Sequence, residues 1–469
     1  MSFSRRDFLR HTSAYSVGFL ALRQCISAGA AGVTPAAGMP VGYGPLIRDP
    51  RRVLDLPEGF AYRIISKMGD TMDDGFIVAG ETDGMTSFAG PDGTAIIIRN
   101  HEMLPTQKPG PFGDDNRLFD RIDRAKMYDC GFGRTPHLGG TSTIVFDTKE
   151  QKIVRQFMSL AGTCRNCAGG PTPWQSWITC EETVFVTGES EDGDLKFESE
   201  KDHGYCFEVP ATADMRLAEP LPLLDMGRFY HEAVAVDPRT GIVYETEDRP
   251  EGLLYRFLPH KPGDLKAGGR LQALCLVGYE ANDARNQGKQ APIRQGDKLR
   301  VTWMDMDDVQ SPKDDLRFRG HEAGACRFSR MEGAWHTDGQ LFFASTNGGA
   351  KELGQIWRYL PAQNEGQGGP EDSGTLELFI ESQDARLLEA CDNITMSPWG
   401  DLIMCEDRSG EVVRLVGVTM AGELYTLANS HAKGEFAGAT FTPDGSTLLV
   451  NIQHKGLTLA ITGPWRTLA

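Results

Sequence analysis

One pattern recurs six times along this chain: a short strand, a tight turn and a second strand that delivers a polar or acidic residue about six positions after the turn. The copies are Ser87–Glu102 with its turn at Gly93, Gly170–Glu182 at Gln175-Ser176, Glu232–Asp248 at Gly241, Glu332–Asn347 at Gly339, Asp392–Asp407 at Gly400 and Glu435–Gln453 at Gly445. Two of them nearly spell each other, Thr172-Pro-Trp-Gln-Ser-Trp-Ile-Thr-Cys-Glu-Glu182 and Ser397-Pro-Trp-Gly-Asp-Leu-Ile-Met-Cys-Glu-Asp407. A hairpin returns its second strand to the level at which the first began, so both ends of every copy lie together. Counting past the turns reaches Glu181, Glu247, Ser345, Glu406 and Asn451, with Asn100-His101-Glu102 in the first copy. Blades placed around an axis turn that shared end into a ring of acids.

With 54 Gly, 26 Pro and turn pairs such as Asp92-Gly93, Asp338-Gly339 and Asp444-Gly445, the chain favours many short strands over long helices. Its 469 residues, 40% of them hydrophobic, suffice for one large repeat architecture. The expected fold is all-β, a six-bladed β-propeller over residues 61–469 with long loop insertions covering one face. Residues 31–60 read as a Pro- and Gly-rich linker. The excursions fall near 105–136, near 279–320 with some helix, and near 361–373 as a loose surface loop.

The formal charge of −17 argues against nucleic acid or anionic membrane as partner. Residues 1–30 run the other way, with Ser4-Arg5-Arg6-Asp7-Phe8-Leu9-Arg10, an apolar stretch from Ala14 to Leu22 and small residues at Ala28-Gly29-Ala30. That order resembles a twin-arginine export signal and implies delivery by that machinery to the periplasm or beyond. No other segment is long and apolar enough to span a bilayer, and ten scattered cysteines do not read as a disulfide scaffold.

Candidate chemistry follows the hairpin ends. Cys164-Arg-Asn-Cys167 opens the second copy; the pair could form a disulfide, or Cys167 could serve as a thiolate ligand. Glu232 and Glu247 meet at the ends of the third copy, where paired carboxylates raise each other's pKa unless a cation relieves them. Arg330 and Glu332 share one strand face and read as an anion clamp beside a metal ligand. Glu406 and Asp407 repeat the arrangement of Glu181 and Glu182. Excess carboxylate suits calcium, while a thiolate among carboxylates suits iron or zinc. No Gly-x-Ser-x-Gly elbow, P-loop or dinucleotide fingerprint is present.

Taken together, Ser4–Leu9, Asn100-His-Glu102, Gly140-Thr-Ser-Thr143, Asn166-Cys-Ala-Gly-Gly170, Cys180-Glu-Glu182, Gly227-Arg-Phe-Tyr-His-Glu232, Thr246-Glu-Asp-Arg249, Arg330-Met-Glu-Gly333, Gly354-Gln-Ile-Trp357, Cys405-Glu-Asp407 and Phe436–Asn451 resemble the PhoX-type alkaline phosphatases. The resemblance implies a periplasmic propeller that hydrolyses phosphate monoesters with Fe3+ and Ca2+; a monomer acting on small phosphorylated substrates is expected. By motif position it makes Cys167 a thiolate ligand, Glu332 a metal ligand and Arg330 the phosphate contact. It also supports ligand roles for Glu181 or Glu182, Glu232, Glu247, and Glu406 or Asp407. Cys164 beside Cys167 departs from the family pattern. A calcium-dependent propeller lactonase or esterase, or a non-catalytic secreted scaffold, are the competing readings; neither needs Cys167 or Arg330.

Overall fold

The computed structural model describes residues 41–193, 195–288, 293–369, 371–408 and 410–466. The expected export signal and most of the linker lie outside these residues. Among the described residues, six antiparallel hairpins carry the repeat. They are Thr82–Ala89 with Thr94–His101, Asn166–Pro171 with Ser176–Glu181, His231–Val236 with Val243–Glu247, Met331–Thr337 with Gln340–Ser345, Cys391–Met396 with Leu402–Glu406, and Phe436–Phe441 with Thr447–Ile452. The return strands Val243–Glu247, Leu402–Glu406 and Thr447–Ile452 are buried along their whole length. Continuous burial, rather than inside-outside alternation, marks strands covered on both faces.

The six incoming strands pack side by side in a closed ring, each on the next and Phe436–Phe441 on Thr82–Ala89. Further strands extend the sheets away from the ring, as in Gly139–Asp147 and Lys152–Thr163 after the first hairpin. Strand Ala61–Lys67, from the start of the described chain, pairs with Leu457–Thr462 from its end, which joins the two termini in one sheet. The architecture is all-β and propeller-like. No helix among the described residues is long and apolar enough to cross a membrane.

The ring is tight because one position in each incoming strand is small: Gly84, Ala168, Ala233, Gly333, Asn393 and Gly438. A Cβ on Gly333 would stand 2.6 Å from the backbone nitrogen of Ile394 and 2.7 Å from Cα of Asn393, and one on Gly84 would stand 2.6 Å from Cα of Ala168. Overpacking of this kind costs about 1–3 kcal/mol. Gly333→Val is therefore expected to lower the urea midpoint of unfolding, and an unchanged midpoint would mean the strands have room to spare there.

Two excursions differ from expectation. The segment near 279–320 does contain a helix, Leu316–Glu322, but it also holds a strand, Lys298–Asp305. That strand pairs with Gly269–Leu276 on one side and Thr375–Glu381 on the other, fusing the third and fourth hairpin sheets into one nine-stranded sheet. The segment near 361–373 is pinned rather than loose. Buried Arg256 donates to Glu365 at 2.6 Å and to both oxygens of Asp372 at 2.9 and 2.7 Å, because a guanidinium out of water requires carboxylate partners. The 105–136 excursion is built of short 3-10 turns at Phe119–Arg121, Arg124–Lys126 and Gly131–Gly133, and it buries Phe112, Phe119 and Ile122 against Met72, Phe76 and Val78.

Candidate metal centre

Each hairpin breaks its pairing register once, near the same end: between Thr82 and Met85, Asn166 and Gly169, His231 and Val234, Met331 and Ala334, Cys391 and Ile394, and Ala437 and Thr440. Such an irregularity re-aims the side chain it contains. In the first five hairpins the re-aimed residue is Asp83, Cys167, Glu232, Glu332 or Asp392, and all five line one cavity. The residue before the incoming strand is left-handed in four cases, Glu81 (φ 42°), Arg165 (φ 48°), Arg330 (φ 44°) and Ala390 (φ 51°). Its carbonyl accepts from the residue just past the return strand, as in Glu182 N to Arg165 O at 2.9 Å, Thr346 N to Arg330 O at 2.9 Å and Asp407 N to Ala390 O at 2.9 Å. One turn, reused around the ring, thereby brings incoming and outgoing side chains to a single place.

The cavity holds about 290 Å³ and is lined by ten carboxylates, from Glu81, Asp83, Glu102, Glu182, Glu232, Asp248, Glu332, Asp392, Asp407 and Glu435. Arg165, Arg330 and His454 are the basic residues in its wall. Donor atoms of Cys167, Glu182 and Glu232 lie within 4.8 Å of one another, as do those of Glu232, Glu332 and Asp392. Glu232 belongs to both groups, so two adjacent cation positions could share its carboxylate. Both groups fit metal ions by donor chemistry: one sets a thiol beside carboxylates, and the other is oxygen alone.

Electrostatics point the same way. Burial first, then neighbouring negative charge, pushes the carboxyl groups of Asp83, Glu232 and Glu332 well above the usual carboxylate range. Burial does the same at Glu182 and Asp392, where Arg165 and Arg330 offset part of the effect. Glu435 is pushed up to about 12 by burial and by its hydrogen bond with Asp407. Burial, then the Glu232 charge, also raises the Cys167 thiol. Either protonation or a bound cation relieves this crowding of buried negative charge.

Two guanidinium groups reach into the acidic wall. Arg330 donates through Nε and Nη2 to Asp248 at 2.9 and 2.8 Å and through Nη2 to Glu332 at 3.0 Å. Among the described residues, Nη1 of Arg330 takes no hydrogen bond. Nη2 of Arg165 meets Glu102 at 2.8 Å and Glu182 at 2.7 Å, and its Nη1 meets Asp192 at 3.1 Å. Burial opposes both charges, yet the surrounding carboxylates hold both pKa values above the ordinary arginine value.

Of the residues expected from the sequence, Cys167, Glu182, Glu232, Arg330, Glu332 and Asp407 line the cavity. Glu181, Glu247 and Glu406 do not, because adjacent residues of a strand face opposite sides and these three face outward. Glu181 accepts from Cys164 N at 2.8 Å, Gly204 N at 2.8 Å and His203 Nδ1 at 2.7 Å. Glu247 is held by Leu253 N and the Tyr255 hydroxyl, both at 3.1 Å, and Glu406 by Nε of Arg414 at 2.7 Å. They staple the next segment to the sheet. Cys164 and Cys167 are free thiols, Cys164 packing with Leu104, Phe185 and Phe197 while Cys167 faces the cavity.

The contrast between neighbours is testable. Glu181→Gln is expected to lose about 1.5–3 kcal/mol of stability with bound metal unchanged, whereas Glu182→Gln is expected to lose metal with little effect on folding. Denaturation midpoints and elemental analysis of the two variants check this. Reversed results would place the wrong member of the pair in the site.

Glu102, Asp248, Asp392 and Glu435, which open or close hairpin copies in the sequence, also line the cavity, together with Asp83 and Arg165, which the hairpin pattern does not single out. Asp83-Gly84, Cys167-Ala168, Glu232-Ala233, Glu332-Gly333 and Asp392-Asn393 share a donor followed by a small or short polar residue, and that pairing is a signal by which Asp83 could have been found.

The solved structure of Pseudomonas fluorescens PhoX in complex with vanadate, a transition state analogue, superposes with a TM-score of 0.65 at 18% identity, covering 88% of this chain and 96% of that one. A gluconolactonase from Xanthomonas campestris overlaps at a TM-score of only 0.37 and 13% identity over 92% of this chain and 99% of its own, too loosely to carry an argument. No curated protein matches this sequence. The family model for alkaline phosphatase PhoX, in contrast, matches residues 41–129 and 137–456. With that match over most of its length, and with candidate metal-binding groups gathered in the cavity, the chain belongs to the PhoX family of metal-dependent alkaline phosphatases.

Proposed function

We propose that this chain is a periplasmic, monomeric, six-bladed propeller exported by the twin-arginine route, and that it hydrolyses small phosphate monoesters in the axial cavity. In this reading Cys167, Glu182 and Glu232 hold Fe3+, while Glu232, Glu332 and Asp392 hold Ca2+, with Asp83, Glu102, Asp248, Asp407 and Glu435 available to complete the oxygen donors. The observation that carries the proposal is the meeting of a thiol-carboxylate group and an all-oxygen group at the shared Glu232, with two arginines in the same wall. Bound cations supply Lewis-acid polarisation of the phosphoryl group and a route to an activated water.

The chain's own residues do the rest. Arg330 is held in place through Nε and Nη2 by Asp248 and Glu332, so its remaining Nη1 can donate to a phosphoryl oxygen without reorganising. Arg165 is fixed between Glu102 and Glu182 and adds a second positive charge against the developing negative charge. No serine, threonine or lysine lines the cavity among the described residues, so attack by an activated water suits the wall better than a covalent seryl intermediate. A lactonase would have no use for Cys167 or for the clamped Arg330. Vanadate, bound by the Pseudomonas fluorescens relative, is the direct probe: it is expected to inhibit hydrolysis of a generic phosphate monoester competitively, and Arg330→Ala to weaken that inhibition. A protein that hydrolyses lactones but no phosphate ester, with no response to vanadate, would refute the proposal.

The crowded carboxylates also set a pH dependence. In the unfolded chain they ionise near ~4, whereas in the metal-free fold Asp83, Glu182, Glu232, Glu332 and Asp392 keep their protons to higher pH. Between those limits the folded state binds more protons than the unfolded state, so stability falls as pH rises. The Tm of chelated protein is expected to drop between pH 5 and 8 more steeply than that of metal-loaded protein. Parallel curves for the two forms would contradict this.

A further inference from the structure

A second buried cluster lies behind the cavity wall and takes no part in the phosphatase reading. His231 precedes Glu232 in the chain, so its side chain faces away from the cavity. Strand Ser176–Glu181 brings Cys180 to it, strand Cys206–Pro210 places Cys206 in register opposite Cys180, and the return strand Val243–Glu247 brings Glu245. All four residues are 0% exposed. The two Sγ atoms are 3.6 Å apart, Cys206 Sγ lies 3.3 Å from His231 Nδ1, and Nδ1 lies 3.3 Å from Glu245 Oε2. Tetrahedral coordination with metal–sulfur bonds of ~2.3 Å and metal–nitrogen and metal–oxygen bonds of ~2.0 Å has corresponding edges of roughly 3.8, 3.5 and 3.3 Å.

Two independent observations point to a ligand. Neither oxygen of the fully buried Glu245 carboxylate has a hydrogen-bond partner, a placement strongly unfavourable to an ionised carboxylate unless a cation sits beside it. Nε2 of His231, moreover, lies 3.1 Å from the carbonyl oxygen of Gly227. With the Nε2 proton donated there, the Nδ1 lone pair faces Cys206 and Glu245, the orientation that metal-bound histidines adopt.

We propose that Cys206, His231 and Glu245, whose donor atoms lie within 4.8 Å of one another, form a buried structural site for a zinc-like transition-metal ion, separate from the phosphatase centre, with Cys180 beside Cys206 as the neighbouring thiol. All three donors are fully buried, which leaves a substrate no path to the ion, so the ion is structural rather than catalytic. Its binding releases the Cys206 thiol proton and the Glu245 carboxyl proton to solvent, leaving a thiolate and a carboxylate on the ion. The ion ties the sheet of the second hairpin to the third hairpin near the start of the strands that carry Cys167 and Glu232, and so keeps those two donors in register.

The test is metal analysis of the full chain after mild chelation has stripped the cavity, followed by Co2+ titration read by thiolate-to-cobalt charge transfer. About one equivalent of zinc is expected to remain, to disappear in Cys206→Val and Glu245→Leu, and to persist in Cys167→Ala. Because Cys167→Ala removes only the cavity thiolate, the two sites fail separately. A wild-type protein with no retained transition metal and the cobalt spectrum of Cys206→Val overturns the proposal, as does a Cys180–Cys206 disulfide found by peptide mapping of the unreduced protein. If the cluster variants do not fold, Cys167→Ala decides alone: zinc protection of Cys180 and Cys206 from alkylation supports the site, and equal alkylation with and without zinc refutes it.

Discussion

Cys167→Ala is expected to lose iron and to lower phosphatase turnover by at least about 100-fold, while still folding. Substitutions one shell out from a metal already cost about 10–100-fold, and Cys167 is the thiol of the mixed group, with Glu182 and Glu232 as its partners. Folding should survive because the side chain's backbone hydrogen bonds are long sulfur contacts, to the carbonyls of His231 at 3.3 Å, Glu232 at 3.7 Å and Cys180 at 3.8 Å, and alanine keeps the Cβ in the buried cluster that Cys167 joins. Alanine also suits the close-packed ring, where Ala168 follows. Elemental analysis beside a turnover assay reads the result. Full activity with iron retained would remove the thiolate from the centre.

Arg330→Ala should reduce kcat/KM by about 10²–10³, the usual loss on deleting a preorganised donor to a developing oxyanion. Calcium and iron should stay bound, because Arg330 meets the donors through Glu332 and Asp248 rather than replacing one. Arg330→Lys should recover little, since a point charge cannot span Asp248 through two nitrogens and still offer a third. The left-handed backbone at Arg330 is common to all of these variants and does not confound the comparison. A variant that loses metal along with activity would make Arg330 a support for the site instead of a phosphate contact.

The hairpin repeat and its common end were legible in the sequence because turn dipeptides and strand lengths set them locally. So were Cys167, Glu232 and Glu332, which begin their copies. The choice between Glu181 and Glu182, or Glu406 and Asp407, was not. It depends on a side-chain period of two, and a single extra residue in each hairpin shifts which neighbour faces the axis. Arg165 was hidden between two cysteines that drew attention as a pair. Asp83 was missed because its strand begins at Thr82, well before the copy read from Ser87. Strand Lys298–Asp305 was obscured by the acids around it, although Leu299, Val301 and Trp303 alternate as a strand requires. Buried Arg256 could not announce from sequence that it would draw Glu365 and Asp372 into one loop.

The most direct measurement is elemental analysis of the purified protein combined with hydrolysis of a phosphate monoester before and after chelation. Iron together with calcium, activity abolished by the chelator and activity restored by both metals is the result this account predicts. Calcium alone without phosphatase activity, or phosphate-ester hydrolysis untouched by chelation, would contradict it.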